Sequence, residues 1–291
     1  MTDAALPRPL VPVSWLAARV DDPGVVVVDA SWYLPAQNRS GVGEYQAGHI
    51  PGAVFWDLDA LSERATDLPH MLPDIASLAR SIGILGIGND DAVVVYDGSG
   101  HNMSAARVWW TLRIAGHEQV AVLDGGLAAW RAAGLPVKAG WTPWRPRGFR
   151  AAFRDELVRS RDQVTWVKAK GGAQVLDARS PGRFAGTEPE PRPGLRGGHI
   201  PGARNLPYTE LTGADGLLLS PESLREKFQA AGLDLRKPVI TSCGSGVTAC
   251  ALALGLEVAG VTEWAVYDGS WAEWGRPDGP EVERRAVSGE Q

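Results

Sequence analysis

The sequence predicts an α/β protein made of two copies of one domain, each with a largely parallel central sheet flanked by helices. Short runs of β-branched residues alternate with longer stretches of helical periodicity, which is the pattern of βαβ units. The segment Gly48–Ala53 reads GHIPGA, and the same letters recur at Gly198–Ala203, about 150 positions later. A repeat at this distance indicates a duplicated domain.

The matching elements follow one another in the same order in both copies. An early strand ends in Asp-Ala, and a later strand leads into a glycine-rich loop. The last strand ends at Leu123 in the first copy and at Tyr267 in the second. Because His49 and His199 occur in both copies, we expect them to serve the fold. The matched segments are Val25–Ala30 with Ala173–Ala178, Val93–Gly100 with Val239–Gly246, and Asp124–Gly126 with Asp268–Ser270.

The repeat divides the chain into an N-terminal domain at residues 8–137, a linker at 138–152 and a C-terminal domain at 153–280. The linker is predicted because Lys138–Gly148 is rich in Pro and Gly and lacks helical periodicity. Asp97 stands in the first copy where Cys243 stands in the second. A carboxylate cannot accept and pass on a sulfur atom, so cysteine chemistry is predicted for the C-terminal domain alone.

Net charge, cysteine count and the length of apolar runs exclude several classes of partner and cofactor. The chain has 291 residues, a net charge of -5 and no basic block, which argues against nucleic acid as a partner. Its two cysteines are neither a disulfide framework nor part of a metal site, so no metal is expected. The apolar run Val25–Val28 is far too short to cross a membrane, and the first residues do not read as a secretion signal. We therefore expect a soluble protein of a reducing cytoplasm.

The most informative segment runs from Cys243 to Cys250 and reads CGSGVTAC. It follows a predicted strand and precedes an Ala- and Leu-rich helix. Backbone N–H groups of the loop and the helix N-terminus are expected to favour a thiolate at Cys243. The same donors would stabilise a persulfide, which is also an anion. Val247 and Thr248 begin the helix and complete this cradle through their backbone.

Other interpretations of the two cysteines fit the sequence less well. Cys243 as a small buried apolar residue is disfavoured, because a Gly-Ser-Gly loop after a strand packs nothing. A cysteine phosphatase needs an arginine where Ala249 stands. Cys250 lies about two turns into the helix, so we expect it in the core rather than as a resolving thiol.

A second candidate segment, Gly182–Arg192, reads GRFAGTEPEPR. Its two arginines, Arg183 and Arg192, could bind the carboxylate and the keto oxygen of an α-keto acid. We expect Glu188 and Glu190 to orient the guanidinium groups. The alternative is a solvated loop with two surface arginines.

On these residues the chain resembles the tandem-domain rhodanese-type sulfurtransferases. The resemblance extends from about Val13 to Pro280 and includes both GHIPGA segments, the copy without cysteine and the segment Gly182–Arg192. The loop at Cys243 is most similar to that of the 3-mercaptopyruvate sulfurtransferases. Thiosulfate-using rhodaneses typically have basic residues after the cysteine, where Gly244 and Ser245 stand here.

The resemblance implies roles for individual residues. Cys243 is the nucleophile that carries the persulfide. Ser245, His70 and Asp59 match a serine-protease-like relay at an interface between two domains packed face to face, which would deprotonate Cys243 or protonate the leaving enolate. The residues expected to bind substrate are Arg183, Arg192, Gly244, Gly246, Val247 and Thr248.

The function that the resemblance implies is transfer of sulfane sulfur from 3-mercaptopyruvate to a thiol or to cyanide, with release of pyruvate and with no cofactor. Thioredoxin-like proteins and sulfur-relay cysteines are the implied protein acceptors. One alternative is the same chemistry with thiosulfate as the donor. Another is a non-catalytic module that docks a sulfur carrier, which cyanide trapping of a preloaded Cys243 would exclude by yielding thiocyanate.

Overall fold

A computed structural model describes residues 6–284, and the chain forms two compact units. Unit 1 holds the residues up to Arg64, together with Leu72–Arg154 and Thr212–Leu218. Unit 2 holds Ala65–Met71, Asp155–Leu211 and the residues from Leu219 on. A short piece of each sequence copy therefore belongs to the unit formed mainly by the other copy.

Unit 1 alternates strands and helices along most of its length. Five strands form one sheet in the order β1-β5-β4-β2-β3, and every pair in it is parallel. The strands are β1 (Leu10–Val11), β2 (Val25–Asp29), β3 (Val54–Phe55), β4 (Ala92–Tyr96) and β5 (Val120–Leu123). The helices are α1 (Val13–Ala17), α2 (Gly41–Ala47), α3 (Ile75–Ile84), α4 (Met103–Ile114) and α5 (Gly126–Ala132).

Unit 2 repeats this arrangement with a parallel sheet in the order β6-β10-β9-β7-β8. The central strand β9 lies between β7 and β10, as β4 lies between β2 and β5. The strands are β6 (Val158–Arg159), β7 (Gln174–Asp177), β8 (Arg204–Asn205), β9 (Val239–Ser242) and β10 (Trp264–Tyr267). The helices are α6 (Arg161–Lys170), α7 (Pro181–Ala185), α8 (Pro221–Ala230), α9 (Val247–Val258) and α10 (Ser270–Trp274).

The predicted fold class is confirmed, and both central strands show why. All residues of β9 and all but the first of β4 are buried, as expected for parallel strands covered on both faces. The last strands end at Leu123 and Tyr267, as predicted. Within residues 6–284, no helix is long and apolar enough to span a membrane.

The two GHIPGA histidines serve the fold, as predicted. His49 Nδ1 lies 2.8 Å from the carbonyl oxygen of Tyr45, and the two rings stack with centroids 4.1 Å apart. His199 Nδ1 lies 2.8 Å from the carbonyl oxygen of Phe184, and these rings stack at 3.7 Å. Because a carbonyl oxygen only accepts, each Nδ1 carries the proton. Both imidazoles therefore fix the end of a short helix to the GHIPGA turn.

The segment predicted as the linker packs along unit 1. Lys138 pairs with His49 in an antiparallel bridge. Arg147 Nη1 donates to the carboxylate of Asp91 at 2.5 and 2.6 Å. The Trp144 indole donates to the carbonyl oxygen of Ile84 at 2.7 Å while much of its ring stays exposed. These contacts hold the segment against the surface although it contains no regular helix.

We expect His117 to make stability fall in mild acid. This residue is buried after α4, and burial lowers the pKa of its imidazole below the ordinary value of 6.5. The unfolded chain therefore takes up a proton first as the pH falls below 6.5, which favours unfolding. The slope this adds is at most about 1.4 kcal/mol per pH unit. Denaturant unfolding of the wild type and of His117→Asn from pH 5 to 8 measures the unfolding free energy at each pH. Equal slopes of that free energy against pH in the two proteins would contradict the prediction.

Candidate active site

Cys243 lies directly after β9, where a short loop leads into α9. The side chain is 1% exposed. Its backbone N–H donates to Ser270 Oγ at 3.1 Å, and its carbonyl oxygen accepts the Trp271 N–H at 2.9 Å. The next carbonyl, of Gly244, accepts the Ala272 N–H at 2.8 Å. The start of α10 therefore fixes the backbone on both sides of the candidate nucleophile.

The loop ends at Gly246, which is the N-cap residue of α9. Its φ of 78° lies in the left-handed region, which glycine adopts without strain. No side chain caps this helix start, and the N–H groups of an uncapped first turn are the donors that an anion needs. Val247 is buried and Thr248 half-buried in that first turn. The predicted order of strand, glycine loop and helix is present.

The first copy shows what this type of loop binds. Asp97 follows β4 as Cys243 follows β9, and its carboxylate is buried. It accepts hydrogen bonds from the backbone N–H groups of Ser99 (2.8 Å), Ser104 (3.0 Å) and Ala105 (2.8 Å), and from both serine hydroxyls. The loop before α4 therefore encloses a negatively charged group at a helix N-terminus, which is the electrostatic condition that a thiolate or persulfide also needs.

Two of the predicted relay residues are in contact. His70 Nδ1 lies 3.0 Å from Ser245 Oγ, and both residues are buried, at 6% and 7% exposed. His70 has a φ of 60°, which is unfavourable for a residue with a side chain. Counting back from the N-caps of α3 and α8, the second copy has Gly216 at this position with a φ of 77°. A histidine placed where the fold suits glycine is typical of a functional site.

The third predicted relay residue, Asp59, belongs to unit 1. Its side chain is exposed, and its Oδ2 accepts the indole N–H of Trp32 at 3.0 Å. His70, by contrast, belongs to unit 2 through the segment Ala65–Met71.

Arg183 points from α7 toward the cysteine loop. Its Nη2 lies 3.0 Å from the position that a Cβ on Gly244 would take. The same Nη2 donates to Glu190 Oε2 at 2.6 Å, and Nε lies 3.2 Å from that oxygen. Glu190 therefore orients the guanidinium group, as predicted. The Glu188 carboxylate accepts a hydrogen bond at 2.7 Å from the hydroxyl of Ser180, the N-cap residue of α7.

Comparison with known proteins decides the family. The model of the rhodanese-like domain matches residues 12–133 and again residues 161–276. The chain belongs to the rhodanese family. It is 45% identical to a thiosulfate/3-mercaptopyruvate sulfurtransferase of Arabidopsis thaliana over 94% of this chain and 78% of that one. It is 42% identical to the 3-mercaptopyruvate sulfurtransferase of Homo sapiens, and the match covers 94% of both chains.

A solved structure supports the same assignment. The crystal structure of SseA from Escherichia coli, a 3-mercaptopyruvate sulfotransferase, superposes with a TM-score of 0.82 at 42% identity, covering 90% of this chain and 98% of that one. Both rhodanese sheets described above are therefore of the known fold. The chain is an enzyme of the sulfurtransferase class.

Sequence reasoning missed Arg179, a buried residue that binds Glu190, the partner of Arg183. The side chain of Arg179 is fully buried and donates to Asp177 at 2.7 Å, to Glu190 Oε1 at 2.7 Å and to the carbonyl oxygen of Gly198 at 2.8 Å. Burial alone would lower the pKa of Arg179, but Asp177 and Glu190 outweigh burial and raise it. Glu190 is therefore held between two arginines: Oε1 accepts the Arg179 hydrogen bond, and Oε2 accepts the shortest hydrogen bond of Arg183.

A signal for Arg179 was present in the repeat. Where the second copy has Asp177-Ala178-Arg179, the first has Asp29-Ala30-Ser31. In the first copy, Asp29 Oδ1 accepts the N–H of Ser31 at 2.8 Å, and burial raises the pKa of the Asp29 carboxyl. An arginine that appears in one copy only, beside an acid common to both, could have been singled out.

Arg192 and Cys250 complete the predicted set. Arg192 is half-buried in the loop two residues after Glu190. Cys250 is buried within α9, and its thiol lies 3.2 Å from the carbonyl oxygen of Gly246, one turn earlier. The core position predicted for Cys250 is therefore confirmed.

Proposed function

We propose that this sulfurtransferase takes sulfane sulfur from 3-mercaptopyruvate, carries it as a persulfide on Cys243 and passes it to a thiol or to cyanide. The observation that carries the proposal is the position of Arg183, whose guanidinium group reaches the residue directly after Cys243. An arginine binds a carboxylate with two parallel hydrogen bonds. The donor therefore needs a carboxylate close to its transferable sulfur, as 3-mercaptopyruvate has.

The proposed reaction has two steps and uses no cofactor. The Cys243 thiolate attacks the donor sulfur, the carbon–sulfur bond breaks, and its electron pair forms the enolate of pyruvate. The proton of the donor thiol ends on the enolate carbon, which leaves pyruvate and an anionic persulfide. An acceptor thiol or cyanide then attacks the outer sulfur and releases the Cys243 thiolate.

The proposal gives each remaining site residue a part. The backbone of Gly244, Gly246, Val247 and Thr248 would stabilise the persulfide anion. Arg192 would bind the pyruvyl end of the donor beside Arg183. Ser245 and His70 would move the proton. Asp59 enters the proposal through the family resemblance alone.

Thiosulfate is the second candidate donor, and the name of the Arabidopsis relative includes both substrates. Two features disfavour it. By the family resemblance, thiosulfate-using rhodaneses have basic residues directly after the cysteine, whereas Gly244 and Ser245 are uncharged. A side chain at position 244 would also have to shift the Arg183 guanidinium group, because a Cβ there comes 3.0 Å from its Nη2.

The donor is tested by steady-state kinetics with 3-mercaptopyruvate and with thiosulfate, using one acceptor. We expect a much higher kcat/KM for 3-mercaptopyruvate. Arg183→Ala should reduce that value by about 10- to 150-fold, the equivalent of 1.5–3 kcal/mol for hydrogen bonds to a charged group. Arg236→Ala, which removes an exposed arginine paired with Asp234, is the matched control. A preference for thiosulfate would overturn the proposal.

The role of His70 can be separated from that of Cys243. Because the leaving enolate must take up a proton, we expect the Ser245–His70 pair to protonate it. His70→Gln should then lower kcat with 3-mercaptopyruvate by about 10²- to 10⁴-fold. Turnover of thiosulfate, whose leaving group is sulfite, and alkylation of Cys243 by iodoacetamide should stay unchanged. If alkylation fell in parallel, the pair would act on Cys243 instead.

The wider setting of the reaction is part of the same proposal. Residues 153–280 would act as the catalytic domain and residues 8–137 as the domain without cysteine chemistry, joined by 138–152. We propose a cytoplasmic enzyme whose protein acceptor is a thioredoxin-like dithiol or a sulfur-relay cysteine. Trapping with cyanide tests the sulfur carrier itself: preloaded enzyme should yield thiocyanate, whereas a docking module would not.

A further inference from the structure

The segment of unit 2 that carries His70 forms an exposed ion pair with a residue after α10. Asp67 Oδ1 lies 2.7 Å from Arg276 Nη2, and the two side chains are 78% and 32% exposed. The guanidinium group lowers the pKa of the Asp67 carboxyl, so both partners are charged at neutral pH. Asp67 is three residues from His70 within the segment Ala65–Met71.

The arginine of this pair follows α10, the helix that fixes the cysteine loop. At the start of α10, the Trp271 and Ala272 N–H groups donate to the carbonyl oxygens of Cys243 and Gly244. At its end, Arg276 Nε lies 3.3 Å from the carbonyl oxygen of Ala272 while its Nη2 reaches Asp67. One short element therefore contacts both the nucleophile loop and the segment that carries His70.

The repeat does not reproduce this pair, whose partners come from different sequence copies, Asp67 from the first and Arg276 from the second. Extending the match of Asp124–Gly126 with Asp268–Ser270 by six residues places Ala132 opposite Arg276. Counting back from the N-caps of α3 and α8 places Gly213 opposite Asp67. Neither equivalent residue carries a charge, so the ion pair has no counterpart at these positions of the repeat.

We propose that Arg276 is a positioning residue for the Ser245–His70 contact and acts through Asp67. The φ of 60° at His70 is unfavourable and must be held by contacts around it. An ion pair three residues away supplies such a contact without touching the substrate. The inference rests on the proposed role of His70.

The test is kinetics with 3-mercaptopyruvate in Arg276→Gln and Asp67→Asn. Each should lower kcat/KM by about fivefold, the most that an exposed ion pair supplies, and thiosulfate turnover should not change. The exchanged pair Asp67→Arg with Arg276→Asp should restore activity to within about twofold, which a merely structural defect at either position would not allow. Arg236→Gln removes an equally simple surface pair and should have no effect.

A double variant separates the failure of this inference from the failure of the proposed role of His70. In the His70→Gln background, adding Arg276→Gln should change kcat/KM by less than about twofold, since the two residues act on one step. Additive losses, or activity in Arg276→Gln equal to that in Arg236→Gln, would overturn the role of Arg276. Full activity in His70→Gln alone would overturn the role of His70, and with it the reason for the ion pair.

Discussion

Cys243→Ser is expected to abolish sulfur transfer, with a loss on the order of 10⁴-fold or more in kcat/KM. Serine keeps the size of the side chain and the backbone hydrogen bonds to Ser270 and Trp271, so the loop should retain its conformation. What is lost is the thiolate, because a serine hydroxyl does not ionise near neutral pH without a base. Steady-state kinetics measure the loss, and mass spectrometry after incubation with the donor should show no added sulfur atom.

Cys250→Ala is the matched control, because Cys250 is the second buried cysteine and lies outside the loop. It should add one sulfur atom per chain and keep sulfur transfer close to the wild-type rate. Loss of the persulfide in Cys250→Ala, with the persulfide retained in Cys243→Ser, would show that the wrong cysteine has been assigned.

The second large effect concerns stability. Arg179→Met should lower the free energy of unfolding by about 3–5 kcal/mol, because it leaves the Asp177 carboxylate buried without its cation and removes one of the two arginines bound to Glu190. Methionine keeps most of the side-chain volume, so the loss reports charge more than packing. Urea unfolding at pH 7 is the measurement.

The control for Arg179→Met is Arg236→Met, at an arginine that is 90% exposed. It should change the free energy of unfolding by no more than about 0.5 kcal/mol. If Arg179→Met changed stability as little as Arg236→Met, water would have to reach the Asp177–Glu190 pair, and the account of how Glu190 orients Arg183 would fail.

The local parts of the site could be predicted from sequence. A strand followed by Cys-Gly-Ser-Gly and a helix is a local pattern, and the repeat showed both where the strands end and that Asp97 replaces the cysteine. The two GHIPGA histidines could be assigned to the fold for the same reason. Each of these inferences depends on a local pattern or on a comparison of the two copies.

The partners of buried charges could not be predicted in this way. Arg179 forms an ion pair with Glu190 across a loop, and Arg276 forms one with Asp67, more than 200 positions away. No periodic sequence pattern links the partners of either pair, so neither could be predicted. Alternating Glu and Pro residues do not reveal which carboxylate faces inward, so Glu190 could not be told apart from Glu188 as the partner of Arg183. The contact of His70 with Ser245 was expected from the family resemblance, and no local pattern predicted it.

The carboxylate of Asp97 occupies the anion-binding loop of the first copy as a covalently attached ligand. A ligand attached by one short side chain has a high effective concentration at its site. A dissolved anion would have to compete with that concentration. Thiosulfate, sulfite or a persulfide offered by a carrier would have to displace a group that cannot diffuse away. The loop of the first copy is thus occupied by its own carboxylate, and we expect sulfur to bind only at the loop of Cys243.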